Sequence, residues 1–173
     1  TVAINDVEAA VREKSNRQLL EIAEQVKKEY EKDPTVSLSG LAKKYDIKEI
    51  NVVAPGGLIT NSTEADVINN YDMNSKAQSK EFVDTLKVQD SFVQEYSPRG
   101  KDESVWRKYA AINLKDGGFI QVGYDAEQFH EMLNEFVIDV TKNRHVGTSG
   151  FVAVLDEQLN MVIDNDYAGK HVS

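Results

Sequence analysis

The side chains with the clearest chemical potential lie between positions 96 and 125. Arg99 and Arg107 each carry a planar guanidinium that can hold a carboxylate through paired hydrogen bonds, and Lys108 adds a third cation. Trp106 and Tyr109 stand beside them and supply apolar ring surface with polar tips. This combination is typical of a surface that binds a small polar molecule, and it favours an anion such as a short carboxylate.

Strand alternation limits which of these side chains can act together. Successive side chains of a strand point to opposite faces of the sheet, so Trp106 shares a face with Lys108, and Arg107 shares the other with Tyr109. The sequence leaves both pairs open, and we favour Arg107 with Tyr109. Each residue also has a simpler role, because Arg99 suits a solvated turn, Arg107 a surface ion pair and the rings a half-buried core.

Further candidates for the same pocket lie on the predicted strands or in the segment expected to close over them. They are Tyr96, Gln121, Tyr124, Asp125, Tyr71, Asp72 and Gln78. Asp125 also has the side chain and position of a helix N-cap.

The elements that must position these residues follow from the apolar pattern. Asp116-Gly117-Gly118 predicts a tight turn between two strands, because Asp-Gly readily takes positive φ. Apolar residues at three- and four-residue steps predict a helix over 3–33, about 40 Å long at 1.5 Å per residue. The remaining pattern predicts helices at 38–45, 78–86 and after 125, strands at 49–53, 58–60 and 91–96, a polar loop at 61–74, a turn at 97–100 and a hairpin at 150–164.

Composition excludes several classes of function. The net charge of −9 argues against nucleic acid as the main partner, because phosphate binding needs a basic face. The absence of cysteine excludes thiol catalysis, zinc–thiolate sites and disulfides. No apolar run approaches the ~18 residues of a membrane-spanning helix. The sequence begins at Thr1 without a Met, so we expect flanking segments, including membrane spans, outside it.

No reactive constellation is visible in the sequence. His130, His145 and His171 are far apart, and the segment 164–169 has Ala168 where a calcium loop needs an oxygen ligand. Nothing resembles a nucleophile–base pair or a phosphate loop. We therefore predict no catalytic residue, no metal site and no cofactor, and a small enzyme remains the least favoured class.

The order of elements and several local stretches resemble the extracytoplasmic Cache sensor domains, the PAS-like ligand-binding modules of bacterial membrane receptors. The stretches that carry the resemblance are 45–53, 71–73, 78–82, 92–96, 108–111 and 117–125. The stretch 144–151 is similar to the beginning of the second, membrane-proximal module of a double Cache protein. The chain then corresponds to the distal module.

The resemblance implies an α+β fold with a PAS-like central antiparallel sheet of about five strands, a long N-terminal helix and small covering helices. It divides the chain into the helix (1–36), the sensor module (37–146) and a terminal hairpin (147–173) that starts a second module or adds a sheet edge. It also implies a homodimer through the long helix and a parent protein anchored in the membrane.

The function implied is extracytoplasmic sensing of a small molecule for signal transduction, with any output enzyme outside this chain. The family's amino-acid-binding subset carries a Tyr, an Arg and a Trp-Tyr pair in order. Tyr96, Arg99 and Trp106 match this order. The Trp-Tyr pair does not, because Arg107 follows Trp106 and the tyrosine comes later, at Tyr109. The alternative is a soluble binding or protein-interaction module whose parent lacks membrane spans.

Overall fold

The computed structural model describes residues 2–143 of the chain. The hairpin predicted over 150–164 and the stretch 144–151 lie outside the described residues. The elements in chain order are α1 (Val2–Lys32), α2 (Leu38–Lys44), β1 (Glu49–Val53), β2 (Ile59–Ser62), a 3-10 turn (Ala65–Val67), α3 (Ala77–Leu86), β3 (Ser91–Val93), β4 (Ser97–Pro98), β5 (Trp106–Asn113), β6 (Phe119–Tyr124) and α4 (Ala126–Asn143).

The strands form an antiparallel sheet in the order β2-β1-β6-β5-β3, and the short β4 also pairs with β5. The long β5 and β6 are joined by the predicted turn, in which Gly117 has a φ of 91°. Among the described residues the sheet has six strands, one more than the approximate number expected. The predicted α+β class, with a long N-terminal helix and a central antiparallel sheet, is confirmed.

The region after α3 differs from the prediction. The third strand ends at Val93 rather than at Tyr96, and Ser97–Pro98, predicted as a turn, pairs with Arg107 and Trp106 as β4. A proline is compatible with an edge strand because no neighbour needs its missing N–H. The backbone N–H of Arg99 continues the pairing to the carbonyl of Val105 at 2.8 Å, so the chain turns beyond position 99.

The second strand also differs from its predicted span. It covers Ile59–Ser62, whereas the sequence predicted 58–60 and a loop from Asn61 onward. Asn61 and Ser62 are polar, yet they pair with Val52 and Asn51 of β1. Pairing with an already formed strand therefore overrides their weak intrinsic preference for strand structure.

One face of the sheet is covered by α3 and by the segment between β2 and α3. Phe82 of α3 is fully buried, and its ring meets the rings of Phe92 at 5.1 Å and Tyr109 at 6.0 Å between centroids, edge to face in both cases. The apolar cluster on this face comprises Val53, Ile59, Val67, Met73, Phe82, Val83, Leu86, Tyr109, Ala111 and Phe119. This cluster holds the covering segment against the strands.

The chain divides into two compact units. The first, Gln18–Asp125, contains the whole sheet, α2, α3 and the latter part of α1. In the second unit the described residues are 2–17 and 126–143, where Lys14 forms an ion pair with Asp139 and lies 5.3 Å from the ring centroid of Phe136. Within residues 2–143, no helix combines the length and the apolar character that crossing a membrane requires.

Gly123 provides a direct test of the packing on the covered face. A Cβ at this position would lie 2.7 Å from two ring carbons of Tyr109, whereas a Cβ at Gly56 would meet no heavy atom within 4 Å. We expect Gly123→Ala to lower the free energy of unfolding by about 1–3 kcal/mol, because the ring must shift. Gly56→Ala, the control, should be neutral or stabilise by up to about 1 kcal/mol.

Urea denaturation of the two variants measures both effects on the same scale. Equal stabilities of Gly123→Ala and Gly56→Ala would contradict the described position of the Tyr109 ring.

Candidate ligand pocket

Strand register places polar side chains in one row on the covered face. Asn51 of β1 lies opposite Gln121 of β6, and Glu49 lies opposite Gly123. Tyr109 of β5 lies opposite the same Gly123 from the other side. All five positions are buried, so the hydrogen bonds among their side chains form away from bulk water.

The missing side chain at Gly123 lets Tyr109 reach across a whole strand. β5 and β1 flank β6, so the two strands are separated by roughly 10 Å at the usual spacing between neighbours. The Tyr109 ring lies over Gly123, and its hydroxyl donates a hydrogen bond of 2.7 Å to Oε2 of Glu49.

The Glu49 carboxylate is the centre of the site. Its Oε1 accepts from Asn51 Nδ2 at 2.9 Å and from Arg99 Nη2 at 3.2 Å. Its Oε2 accepts from Arg107 Nε at 3.2 Å and from the Tyr109 hydroxyl. Glu49 is only 2% exposed, so this charge is compensated within the protein rather than by water.

A second carboxylate joins the same guanidinium groups. Glu64, which follows β2, accepts from Arg99 Nη2 at 2.6 Å and lies 3.9 Å from Arg107 Nη2. Lys101 extends the cluster, with an ion pair to Asp66 and a longer one of 3.9 Å to Glu64. Three cations thus face three anions, and the cluster has no net charge.

The cluster shifts the pKa values of two of its members. Burial by itself would lower the pKa of Arg99, but the neighbouring Glu49 and Glu64 carboxylates raise it above its usual value. Burial, and then the charge of Glu49, raise the pKa of the Tyr109 hydroxyl well above its ordinary value of 10.0. Arg99 is therefore charged and Tyr109 neutral at physiological pH.

Side-chain amides and hydroxyls continue the network from Glu49 across the sheet. Asn51 Nδ2 also donates to Gln121 Oε1 at 2.8 Å, and Asn51 Oδ1 accepts from Ser62 Oγ at 2.6 Å. On α3, Gln78 Nε2 donates to Gln94 Oε1 at 3.0 Å. These bonds leave Gln121 Nε2 and Gln78 Oε1 without a hydrogen-bond partner among residues 2–143, and both residues line the pocket described next.

A small pocket that is partly open to solvent lies between this face of the sheet and the covering segment. Its lining combines apolar and polar side chains: Glu49, Asn51, Ile59, Val67, Tyr71, Met73, Gln78, Ser79, Arg99, Gly100, Lys101, Tyr109 and Gln121. Small-molecule sites usually combine an apolar lining with a few placed polar groups, and this lining is richer in polar side chains than that. Within the described part of the chain, no group of three or more His, Asp or Glu side chains is placed to hold a metal ion.

Five of the residues predicted from the sequence line this pocket: Tyr71, Gln78, Arg99, Tyr109 and Gln121. Arg107 does not line it, but lies beside it in the Glu49 cluster and shares its face of β5 with Tyr109. Between the two alternating pairs on β5, the pocket therefore lies on the face that carries Arg107 and Tyr109. That these side chains contact a ligand stays a prediction.

The other predicted site residues lie outside the pocket lining. Trp106, Lys108 and Tyr124 fall on the opposite face of the sheet, since Lys108 pairs with Tyr124 and alternates with Tyr109. The ring of Tyr96 packs against that of Trp106, with centroids 5.2 Å apart. Asp72 is exposed and accepts hydrogen bonds from Asn74, and Asp125 lies between β6 and α4.

Sequence reasoning missed Glu49, Asn51 and Glu64. A signal for the first two was present, because the predicted strand at 49–53 reads Glu-Ile-Asn-Val-Val and has its two polar residues at alternate positions. Polar residues at alternate positions of a fully buried strand indicate a polar row on one face. Glu64 had no such signal, since it follows a strand in a stretch that reads as an ordinary polar loop.

Comparison with known proteins identifies the fold. No protein-family model matches the sequence, and no curated protein matches it. Among solved structures, the sensory domain of the Campylobacter jejuni chemoreceptor Tlp3 (CcmL), crystallised with isoleucine bound, matches 76% of this chain at 11% identity, with a TM-score of 0.51. The chain spans 59% of the length of that domain.

The sensor domain of Escherichia coli DcuS is similar over 72% of this chain and 98% of its own length, at 15% identity and a TM-score of 0.51. The chain therefore has the fold of bacterial sensor domains, the Cache or PAS-like fold that its sequence resembles. At these identities the comparison establishes the fold, and the ligand must be argued from the pocket.

The raised pKa of Tyr109 predicts a pH dependence of stability. Tyr109 stays protonated in the folded protein at pH values where the unfolded chain ionises it, so its contribution is complete below about pH 10 and is lost as pH rises further. We expect Tyr109→Phe to be less stable than wild type at pH 8. Above pH 10, its free energy of unfolding should fall less steeply, by up to about 1.4 kcal/mol per pH unit.

Urea unfolding at several pH values between 8 and 11 measures the two slopes. Parallel curves for wild type and Tyr109→Phe would show that Tyr109 ionises equally in both states, against its described burial beside Glu49.

Proposed function

We propose that this chain is the extracytoplasmic small-molecule sensing domain of a bacterial transmembrane receptor. The observation that carries the proposal is the pocket on the covered face of the sheet, lined by both apolar and hydrogen-bonding side chains. The similarity in fold to a chemoreceptor sensory domain and to the DcuS sensor domain supports the same role. On this proposal the chain binds and signals, and any output enzyme belongs to another part of the receptor.

The proposed signal passes from the pocket to α1. Glu29 of α1 accepts hydrogen bonds from Lys44 at 2.9 Å and Tyr45 at 2.5 Å, and Glu31 accepts from the backbone N–H of Lys115 at 3.0 Å. These contacts fasten the latter part of α1 to the unit that contains the pocket. A ligand that binds one arrangement of this unit more tightly shifts the population toward it and can move α1 with it.

The organisation of the receptor follows from the same proposal. We place the long helix (1–36) at the membrane-linked, dimer-forming end, the sensor module at 37–146 and the start of a second module at 147–173. The parent reading frame tests this arrangement, since membrane spans should flank the region. If the parent lacked them, the soluble binding module would be the better account.

The pocket also bears on the carboxylate ligand favoured by the sequence. Both arginines that motivated it already hold protein carboxylates, Glu49 and Glu64. Both carboxylates accept from Nη2 of Arg99, and Glu64, whose side chain is 25% exposed, is the less buried of the two partners. Charge must therefore be a variable of any ligand screen.

A thermal-shift screen of small polar metabolites, with isoleucine among them, tests the function. A compound at 100 times its Kd should add about 2.7 kcal/mol to the free energy of unfolding. Each hit is then measured on Gly100→Val, which directs a side chain toward Tyr71, Ser79 and Gln78, all in the pocket lining. The control is Gly56→Val, where the added side chain points into open space.

We expect Gly100→Val to weaken binding at least tenfold, because its Cβ would lie 2.7 Å from the Tyr71 hydroxyl and must displace lining side chains, and Gly56→Val to bind as wild type does. Absence of any hit in a broad screen contradicts the sensing role. Hits that Gly100→Val binds unchanged would place the site elsewhere.

A further inference from the structure

We propose that Glu49 is an internal counter-anion that closes the arginine site to charged ligands, so that the pocket selects an uncharged polar molecule. This inference rests on the proposed sensing function and specifies its ligand class. It makes Glu49 a specificity-determining residue, although its position at the start of β1 resembles that of any buried strand residue.

The hydrogen bonds of Glu49 are complete. An ionised carboxylate has about four acceptor positions. The described donors Asn51, Arg99, Arg107 and Tyr109 fill them, two at each oxygen. A ligand ammonium therefore finds no free acceptor on Glu49, even though this residue lines the pocket.

A ligand anion that took the place of Glu49 would meet an obstacle from the other side. Arg107 is bound by Glu49, and Arg99 is bound by both Glu49 and Glu64. To take the place of Glu49, an anion would have to strip a carboxylate that is 2% exposed of four donors and leave it buried without partners. Uncompensated burial of a charge is among the most unfavourable changes available to a protein interior.

The remaining charges of the lining are also paired. Lys101 forms ion pairs with Asp66 and Glu64 at the mouth of the pocket. The six charged side chains balance, so an ion added beside them would lack a counter-charge of its own. A ligand without charge disturbs none of these pairs.

The other lining groups indicate what an uncharged ligand offers. Gln121 Nε2 is a donor and Gln78 Oε1 is an acceptor, and neither has a partner among the described residues. Ile59, Val67 and Met73 supply a buried apolar wall. A molecule with an amide or hydroxyl group at one end and a short aliphatic part at the other satisfies both kinds of surface.

A charge-matched series tests the inference on the wild-type chain. Isobutyramide, isobutyrate, isobutylammonium and valine have similar shapes and are uncharged, anionic, cationic and zwitterionic. We expect isobutyramide to bind at least tenfold more tightly than the other three in calorimetry at constant ionic strength. The same ordering by charge should hold among the hits of the metabolite screen.

The outcomes separate the inference from the function on which it rests. Tighter binding of isobutyrate, isobutylammonium or valine, or a set of screening hits that is mainly charged, overturns the role of Glu49 while the sensing function stands. Failure of every compound, in the series and in the screen, overturns the sensing function and the inference with it.

Removing the internal anion gives an independent test. Glu49→Ala leaves the guanidiniums of Arg99 and Arg107 facing a space of carboxylate size, so formate should bind there. We expect formate, and not the uncharged formamide, to raise the melting temperature of Glu49→Ala with a saturable dose response. Wild type and the control Glu13→Ala, which changes an exposed carboxylate paired only with Arg17 among the described residues, should not respond.

Two further readouts keep this test decisive if Glu49→Ala is unfolded alone. Recovery of the folded circular dichroism spectrum with formate, and not with formamide, supports the proposal equally. Glu49→Gln keeps the side-chain volume and should gain at least tenfold in formate affinity over wild type. The proposal is overturned if Glu49→Gln is folded but binds formate no more tightly than wild type, and Glu49→Ala does not respond to formate.

Discussion

The buried carboxylate of Glu49 is the constraint on which the rest of this sensor fold depends. One charge, almost without access to water, requires donors from β1, from β5 and from the segment that follows β4. Tyr109 reaches it only because Gly123 leaves the intervening strand bare. The need to pair this carboxylate therefore explains three features together. They are the register of β1, β6 and β5, the position of Arg99, and the glycine at position 123 of β6.

This requirement shapes the pocket more than it stabilises the sheet. Buried ion pairs contribute little net stability, because the desolvation of each charge offsets much of their attraction. The apolar cluster around Phe82 is the stabilising part of the same face. The charged cluster instead determines what may lie beside it, since any arrangement that leaves Glu49 or Arg99 unpaired is strongly disfavoured.

The elements of the fold were largely predictable from the sequence, and the pairing at the site was not. The spans of α1 and β1 and the Asp116–Gly118 turn follow from local periodicity and turn chemistry. Glu49 meets Arg99 and Arg107, which lie 50 and 58 positions away, only after the strands have aligned. An arginine whose carboxylate partner is distant in sequence looks like a free anion binder, and this is why Arg99 and Arg107 pointed to a ligand carboxylate.

A double-mutant cycle between Glu49→Gln and Arg107→Met tests the central claim most directly. Urea unfolding of the wild type, both single variants and the double variant yields the coupling energy between the two side chains. The account predicts a coupling of about 1–3 kcal/mol, because each charge left alone is buried and unpaired. The matched cycle of Glu49→Gln with Lys87→Met, whose described ion pair is with Asp84, should be additive. A coupling below about 0.5 kcal/mol for Glu49 with Arg107 would contradict a charge-paired Glu49 at the centre of the site.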